Sequence, residues 1–117
     1  MKSKIVALSK KEDFLKLLKG KKISNKFFNI FFDKTLKKNN KKLNISFVTK
    51  KKIGKIKFSA VERNKIRRRL KSIMNEALKK ISLNLDYSYL IISKATILGD
   101  KYINIKETLF ADFRKIK

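Results

Sequence analysis

Residues 59–71 read Ser-Ala-Val-Glu-Arg-Asn-Lys-Ile-Arg-Arg-Arg-Leu-Lys, and the rest of the chain is best interpreted outward from this stretch. Ser59 and Glu62 have the spacing of a capping box, in which each side chain accepts a hydrogen bond from the other residue's backbone N–H at the start of a helix. Apolar residues then recur at steps of three and four, at Ile66, Leu70, Ile73, Ala77 and Ile81. This period predicts one long amphipathic helix.

The same stretch concentrates arginine. Four of the five arginines lie within seven residues, whereas the rest of the positive charge is carried by 28 lysines and one further arginine. A guanidinium group grips phosphate with two parallel hydrogen bonds and stacks on bases. A solvated polar face is the plain alternative, but only Glu62, at the edge of the cluster, has the helical spacing to neutralise it. We therefore favour binding of a phosphate backbone by residues outside the apolar stripe, with Arg63 nearer to that stripe than the others: Arg63, Asn64, Lys65, Arg67, Arg68 and Lys71.

The composition points to a polyanionic partner. The 117 residues carry a formal net charge of +24, far more than solubility requires, although A/T-rich codons are a second explanation for many of the lysines. The chain has no Cys and no His, which excludes disulfides, thiolate chemistry, the Ser/His/Asp triad and most zinc sites. Because there is no run of 18 apolar residues and no apolar N-terminal segment of signal length, we expect a cytoplasmic protein with no membrane partner.

The remaining segments predict an α+β fold. Two further capping-box patterns, Ser9 with Glu12 and Asn104 with Glu107, predict helices near the two ends. Strands are predicted at residues 26–32, 43–49, 53–58 and 87–92, with a polar loop at 33–42. The order α-β-β-β-α-β-α indicates a single RNA-binding domain over residues 1–117, in which one small sheet packs against helices and the second helix is long and basic.

The first predicted strand is unusually aromatic, with Phe27, Phe28, Phe31 and Phe32. Because the two faces of a strand cannot both enter one simple core, we expect Phe27 and Phe31, with Phe14 of the first helix, to line an exposed cleft where bases stack. The alternative is that the third helix covers this face.

The chain has no convincing catalytic group of its own. Glu12 and Asp13 are the only adjacent carboxylates, and consecutive helical residues do not face each other. The aspartates are scattered and the chain has only 3 Gly, so it has no glycine-rich phosphate loop. No protein-bound cofactor is predicted.

Residues 60–70, Ala-Val-Glu-Arg-Asn-Lys-Ile-Arg-Arg-Arg-Leu, resemble the signature of the protein subunit of bacterial ribonuclease P, an Ala-Val-x-Arg-Asn start followed by basic residues on a long helix. The similarity extends over nearly the whole chain. Residues 12–20 are similar to the family's first helix, residues 49–54 to its Ser/Thr-Lys-Lys-x-Gly stretch, and residues from Asp86 onward to its late strand and final helix.

The resemblance implies a small basic partner of a catalytic RNA that removes the 5′ leader of precursor tRNA, with Mg²⁺ held mainly by the RNA. The chain would be the non-catalytic subunit of this endoribonuclease, with ribonuclease P RNA and precursor tRNA as partners and no obligate protein partner. The six basic and polar residues of the second helix would dock on the RNA subunit. A cleft between the first helix and the sheet would hold the leader with Phe14, Leu18, Lys22, Phe31 and Lys51.

The chain departs from the family pattern at three places. More residues than usual separate Gly54 from Ala60, Leu18 stands where an aromatic residue is often found, and Lys65 replaces an arginine, so that a bidentate contact becomes a point charge.

Two other functions compete with the ribonuclease P role. One is a structural RNA-binding protein such as a small ribosomal protein, which would need no substrate cleft; exposed Phe14 and Phe31 side chains would argue against it. The other is a DNA-binding regulator, but the predicted elements include no short second helix for a helix-turn-helix.

Overall fold

The structure is a computed structural model that describes residues 5–6, 11–34 and 42–116. Within these ranges the helices are α1 (Lys11–Leu18), α2 (Ala60–Lys80) and α3 (Tyr102–Lys115), with a short 3-10 helix at Ala95–Gly99. The strands are β1 (Ile5–Val6), β2 (Lys21–Ser24), β3 (Phe28–Lys34), β4 (Leu43–Val48), β5 (Lys52–Ile53), β6 (Ile56–Lys57) and β7 (Tyr87–Ser93). The α+β class predicted from the sequence is confirmed.

Strand β7 lies at the centre of a five-stranded sheet of order β1-β4-β7-β3-β2. It runs parallel to β4 and antiparallel to β3. Because parallel neighbours cannot be joined by a tight hairpin, the chain leaves β4 and returns to β7 through β5, β6 and α2. A strand with neighbours on both edges and helices on both faces is buried along most of its length, as residues 88–91 are.

The two faces of the sheet carry different layers. On one face the apolar sides of α2 and α3 pack against β3, β4 and β7 and form the main core, which contains Phe28 and Ile30 of β3. On the other face α1 lies against β3 and β7, and Leu17 and Leu90 are buried there outside the main core. Alternation along β3 places Phe31 on the α1 face, between core residues Ile30 and Phe32.

The connection from α1 to β2 requires glycine. The helix ends two residues before Gly20, close to the predicted stop. A Cβ atom at Gly20 would lie 2.8 Å from the carbonyl oxygen of Phe32 and 3.1 Å from the Cβ atom of Asp33. Glycine therefore allows the turn to pass close to the backbone of β3.

The start of α2 confirms the capping box. Ser59 Oγ accepts the Glu62 backbone N–H at 3.1 Å, and Glu62 Oε1 accepts the Ser59 backbone N–H at 2.9 Å. The predicted apolar stripe is buried at Ile66, Leu70, Ile73 and Ala77 and half-buried at Ile81.

The predicted strand at residues 53–58 is wrong. This segment instead forms the β5–β6 hairpin, a separate two-stranded sheet that turns at Gly54, where φ is +61°. A left-handed backbone conformation of this kind favours glycine. The hairpin accommodates the residues that lengthen the spacing between Gly54 and Ala60.

The predicted start of the third helix is also wrong. Helix α3 begins at Tyr102, and Asn104 lies inside its first turn. The carboxylate of Asp100 accepts the Lys101 backbone N–H at 2.9 Å and the Asn104 side-chain amide at 2.6 Å. The two hydrogen bonds stabilise the charged carboxylate and hold the pKa of Asp100 below its usual value. The bond from Asn104 has the larger effect.

The strands differ from the prediction at the sheet's edges. The short strands β1 and β2 were not predicted, because β1 has two residues and β2 is mostly lysine. The first predicted strand begins at Phe28 rather than at residue 26, since Asn25 Oδ1 accepts the backbone N–H groups of Phe27 and Phe28 and makes a turn there. The predicted cap Ser9 and positions 35–41 of the predicted loop lie outside the described residues.

Ser59→Ala removes one acceptor from the start of α2, and we expect it to lower the free energy of unfolding by about 1 kcal/mol. The measurement is chemical denaturation followed by circular dichroism. Ser82→Ala, at an exposed position after α2, is the matched control and should change little. Equal stability of the two variants would contradict a contribution from the capping box.

Candidate nucleic-acid interface

The basic face of α2 points away from the core. We define it as the six residues predicted from the sequence, of which Arg63 is half-buried and five are exposed: Asn64, Lys65, Arg67, Arg68 and Lys71. The helix turns these side chains outward because Ile66 and Leu70, which lie between them in sequence, are buried in the core. The structure therefore brings the predicted RNA-docking set together on one surface.

Asn64 and Arg67 are coupled on this surface. The Nη2 group of Arg67 donates a hydrogen bond to Asn64 Oδ1, three residues earlier on the helix. The bond uses the amide oxygen of Asn64, so its NH₂ group is turned toward any approaching acceptor. Among the described residues the other guanidinium N–H groups of Arg67 have no partner, so they are available for a phosphate.

Arg63 has a different environment from its neighbours. Its Nε atom is enclosed and has no hydrogen-bond partner among the residues that the structure describes. The adjacent carboxylate, Glu62, accepts the Ser59 N–H in the capping box. An enclosed N–H without a partner costs free energy. Because this atom is enclosed, an external anion does not reach it in this conformation.

Acidic side chains are paired away from the basic face. In the described ranges the ion pairs join Lys26 to Asp100, Lys80 and Lys106 to Glu76, and Lys115 to Asp112. Hydrogen bonds from two lysines hold the pKa of Glu76 below its usual value, and the bond from Lys106 has a larger effect than the bond from Lys80. None of these pairs includes a member of the basic face, so its positive charge is open to an external polyanion.

A second surface lies on the opposite face of the sheet, beside α1. We call it the sheet cleft and define it by Phe14 and Leu18 of α1, Lys22 of β2 and Phe31 of β3. Lys22 and Phe31 are register partners, and the Lys22 Nζ atom lies 6.0 Å from the centre of the Phe31 ring. Phe14 and Phe31 are half-buried and Leu18 is 44% exposed. The cleft combines an accessible aromatic ring with a cation, the combination that single-stranded nucleic acid needs.

One sequence-based assignment to the cleft changes. Phe27 does not line it, because its side chain is 2% exposed and belongs to the main core. Lys51 is exposed and lies next to the β5–β6 hairpin, where its carbonyl oxygen accepts the Phe58 backbone N–H at 2.8 Å just before α2 begins. This bond joins the Lys51 backbone to the residue just before the cap of α2.

Sequence reasoning missed a polar group at the end of the cleft. Ser24, Asn29 and Lys94 are joined there by side-chain hydrogen bonds. Ser24 and Asn29 are register partners of β2 and β3. Alternation along β3 from Phe31 could have placed Asn29 on this face, but Lys94 is far away in sequence and nothing there indicates the contact.

The described residues contain no group of three or more His, Cys, Asp or Glu side chains placed to hold a metal ion. No helix in that part of the chain is long and apolar enough to cross a membrane.

Comparisons with known proteins point to one family. The family model for ribonuclease P matches residues 3–117. The ribonuclease P protein from Thermotoga maritima has a similar structure, with a TM-score of 0.76 and 20% identity over 96% of this chain and 98% of that one. The Staphylococcus aureus ribonuclease P protein gives a TM-score of 0.66 at 25% identity, over 94% of this chain and 93% of that one. A search of curated proteins found no match.

The family match covers nearly the entire chain, and the solved ribonuclease P proteins share its fold. A basic face whose members make no ion pair among the described residues also fits a protein that works with an RNA. This chain therefore belongs to the ribonuclease P protein family, as the protein subunit of a tRNA-processing endoribonuclease that is formed with ribonuclease P RNA.

Proposed function

We propose that the chain docks on ribonuclease P RNA through the basic face of α2 and holds the 5′ leader of precursor tRNA in the sheet cleft. In this way it supports the Mg²⁺-dependent removal of the leader. The observation that carries the proposal is the placement of two surfaces suited to RNA on opposite faces of one sheet. One protein can then contact two RNA segments at the same time.

The basic face is suited to a folded RNA backbone. Its arginines stand on a rigid helix and have no acidic partner within the described residues. Phosphate contacts of this kind position an RNA and carry no sequence information, which fits a constant partner such as an RNA subunit. Lys65 and Lys71 contribute point charges, whereas the arginines of this face offer a planar fork.

The sheet cleft is suited to an unpaired strand. Bases of single-stranded RNA stack on aromatic rings, and a nearby cation contacts the backbone. Phe31 offers the ring and Lys22 the cation, with Phe14 and Leu18 at the rim. We keep Lys51 as a phosphate contact, as the family resemblance implies.

The chemistry of cleavage is assigned to the RNA subunit. Mg²⁺ is held mainly by RNA phosphates, and the lysines and arginines of the protein lower the repulsion between the RNA subunit and its substrate. We propose that this takes place in the cytoplasm, where tRNA precursors are made in bacteria. No obligate protein partner is proposed.

A structural role in the ribosome is the second candidate. That role needs no cleft, and it would be favoured if both Phe14 and Phe31 were buried. Each of them is half-buried, so their rings remain accessible to a ligand. Both rings lie between the two cases, and it is the family match over residues 3–117 that favours the ribonuclease P role over the ribosomal alternative.

Arg67→Ala/Arg68→Ala should weaken binding to ribonuclease P RNA and flatten its salt dependence. Each lost phosphate contact reduces the slope of log K against log salt by roughly 0.7 to 0.9. The slope is measured from binding at several salt concentrations, together with cleavage of precursor tRNA at low Mg²⁺.

Lys79→Ala/Lys80→Ala is the matched control for this pair, because it removes the same charge from the last turn of the same helix. It should leave the slope nearly unchanged. Equal losses in the two double variants would mean that net charge, and not the basic face, determines docking.

Phe14→Ala should weaken the binding of precursor tRNA, and the loss of affinity should be larger for precursors with longer leaders. Stacking of one base on an aromatic ring contributes roughly 1–3 kcal/mol, or about fivefold or more in affinity. The measurement is the affinity of the assembled complex for precursors with leaders of increasing length. Leu15→Ala is the control, since Leu15 is 47% exposed and consecutive residues of a helix point in different directions. A loss that is the same for every leader length would contradict leader binding in the cleft.

A further inference from the structure

Asn29 occupies a position in the sheet cleft that the proposed function does not yet use. It lies on the same face of β3 as Phe31, two residues before it, at a distance of about 6.8 Å along the strand. Its register partner on β2 is Ser24. A base that follows the one stacked on Phe31 would therefore meet the Asn29 side chain.

The orientation of the Asn29 amide is fixed by its partners. Lys94 Nζ donates to Ser24 Oγ at 2.9 Å, and Ser24 Oγ donates to Asn29 Oδ1 at 2.6 Å. An ammonium group has only donors, so Ser24 accepts from Lys94 and gives its single hydroxyl proton to Asn29. The amide oxygen of Asn29 thus faces Ser24, and its NH₂ group faces away from it.

The turn that carries this chain of hydrogen bonds is itself held in place. Lys94 Nζ also donates to the Asn25 carbonyl oxygen at 2.6 Å. Asn25 accepts two backbone N–H groups of the turn through Oδ1 and donates through Nδ2 to buried Asp112 at 2.6 Å. The amide is therefore oriented before any ligand binds, which is the condition for selective hydrogen bonding.

Within the described residues the NH₂ group of Asn29 has no partner, and Asn29 is only half-buried. It presents a donor to the cleft. Uracil O4 and guanine O6 are acceptors, whereas cytosine N4 and adenine N6 are donors that would oppose it.

We infer that Asn29 is a specificity-determining residue that selects a leader nucleotide with an oxo group, uracil or guanine, over one with an amino group, cytosine or adenine. The selection applies at one leader position, next to the nucleotide that stacks on Phe31. This inference rests on the proposed binding of the leader in the sheet cleft. Ser24 and Lys94 are positioning residues, since they act only through the orientation of the amide.

The test uses the complex of the full chain with ribonuclease P RNA and a set of precursor tRNAs with equal leaders. Uridine or cytidine is placed at one leader position at a time, and kcat/KM for the two precursors is compared by competition. We expect a preference for uridine of about twofold to tenfold at a single position, the range of one net hydrogen bond. Guanosine against adenosine should repeat the preference at the same position.

Three variants test the assignment to Asn29. Asn29→Leu, nearly the same size, should bring the uridine-to-cytidine ratio close to one. Asn29→Asp replaces the donor with an acceptor and should lower the uridine-to-cytidine ratio below one, so that cytidine is preferred. Ser24→Ala frees the amide to rotate and should reduce the ratio at the same position. Asn75→Leu, an asparagine on α2, is the matched control and should keep the wild-type ratio.

The outcomes separate this inference from the proposed function. A ratio of one at every position in the wild type, or a ratio unchanged by Asn29→Asp, would overturn the role of Asn29. If Phe31→Ala still weakened the binding of long leaders more than short ones, the sheet cleft itself would stand. If leader length had no effect on the wild type or on Phe31→Ala, both proposals would fail. Thermal melting of each variant confirms that it is folded.

Discussion

The burial of Ile66, Leu70, Ile73 and Ala77 against the sheet fixes the rotation of α2 about its axis, and this rotation decides where the protein presents its arginines. Each of the three larger side chains contributes roughly 1.5–3 kcal/mol when it is fully buried, so the helix cannot roll to satisfy its own charges without losing more than it gains. The capping box fixes where the helix begins, and the stripe fixes which way it faces. The basic face is the consequence of both.

The sheet extends this constraint to the opposite side of the molecule. Strands β3 and β7 pack against other elements on both of their faces. One face contributes to the main core and the other contacts α1. Alternation along β3 forces Phe31 and Asn29 onto the face that α1 covers only in part. The same strand that completes the core therefore also builds the cleft. A protein with one small sheet gains two separate surfaces for RNA in this way.

The parts that the sequence predicts well are those governed by local periodicity and capping. The extent of α2, its capping box, its buried stripe and the strands at β4 and β7 follow from spacing alone. The failures have physical causes. A turn made by the Asn25 side chain moves the start of β3, and Asp100 rather than Asn104 lies at the beginning of α3.

The two surfaces of the candidate site differ in the same way in how well the sequence predicts them. The basic face lies on one helix, so its members are placed together by helical geometry and could be named from the sequence. The sheet cleft depends on strand register and on distant contacts, so Phe27 was misassigned to it and Asn29 with Lys94 was missed. Residues that meet only in the folded chain leave no pattern in the sequence.

The central claim is that the two faces of the sheet contact different RNAs. The chain has no cysteine, so a single introduced cysteine can carry a photo-crosslinker at one defined place. Leu18→Cys puts it at the rim of the sheet cleft, and Lys71→Cys puts it on the basic face of α2. In the complex with ribonuclease P RNA and precursor tRNA, the probe at position 18 should label the leader and the probe at position 71 should label the RNA subunit. Labelling of the RNA subunit from both positions, with none of the leader, would contradict the account.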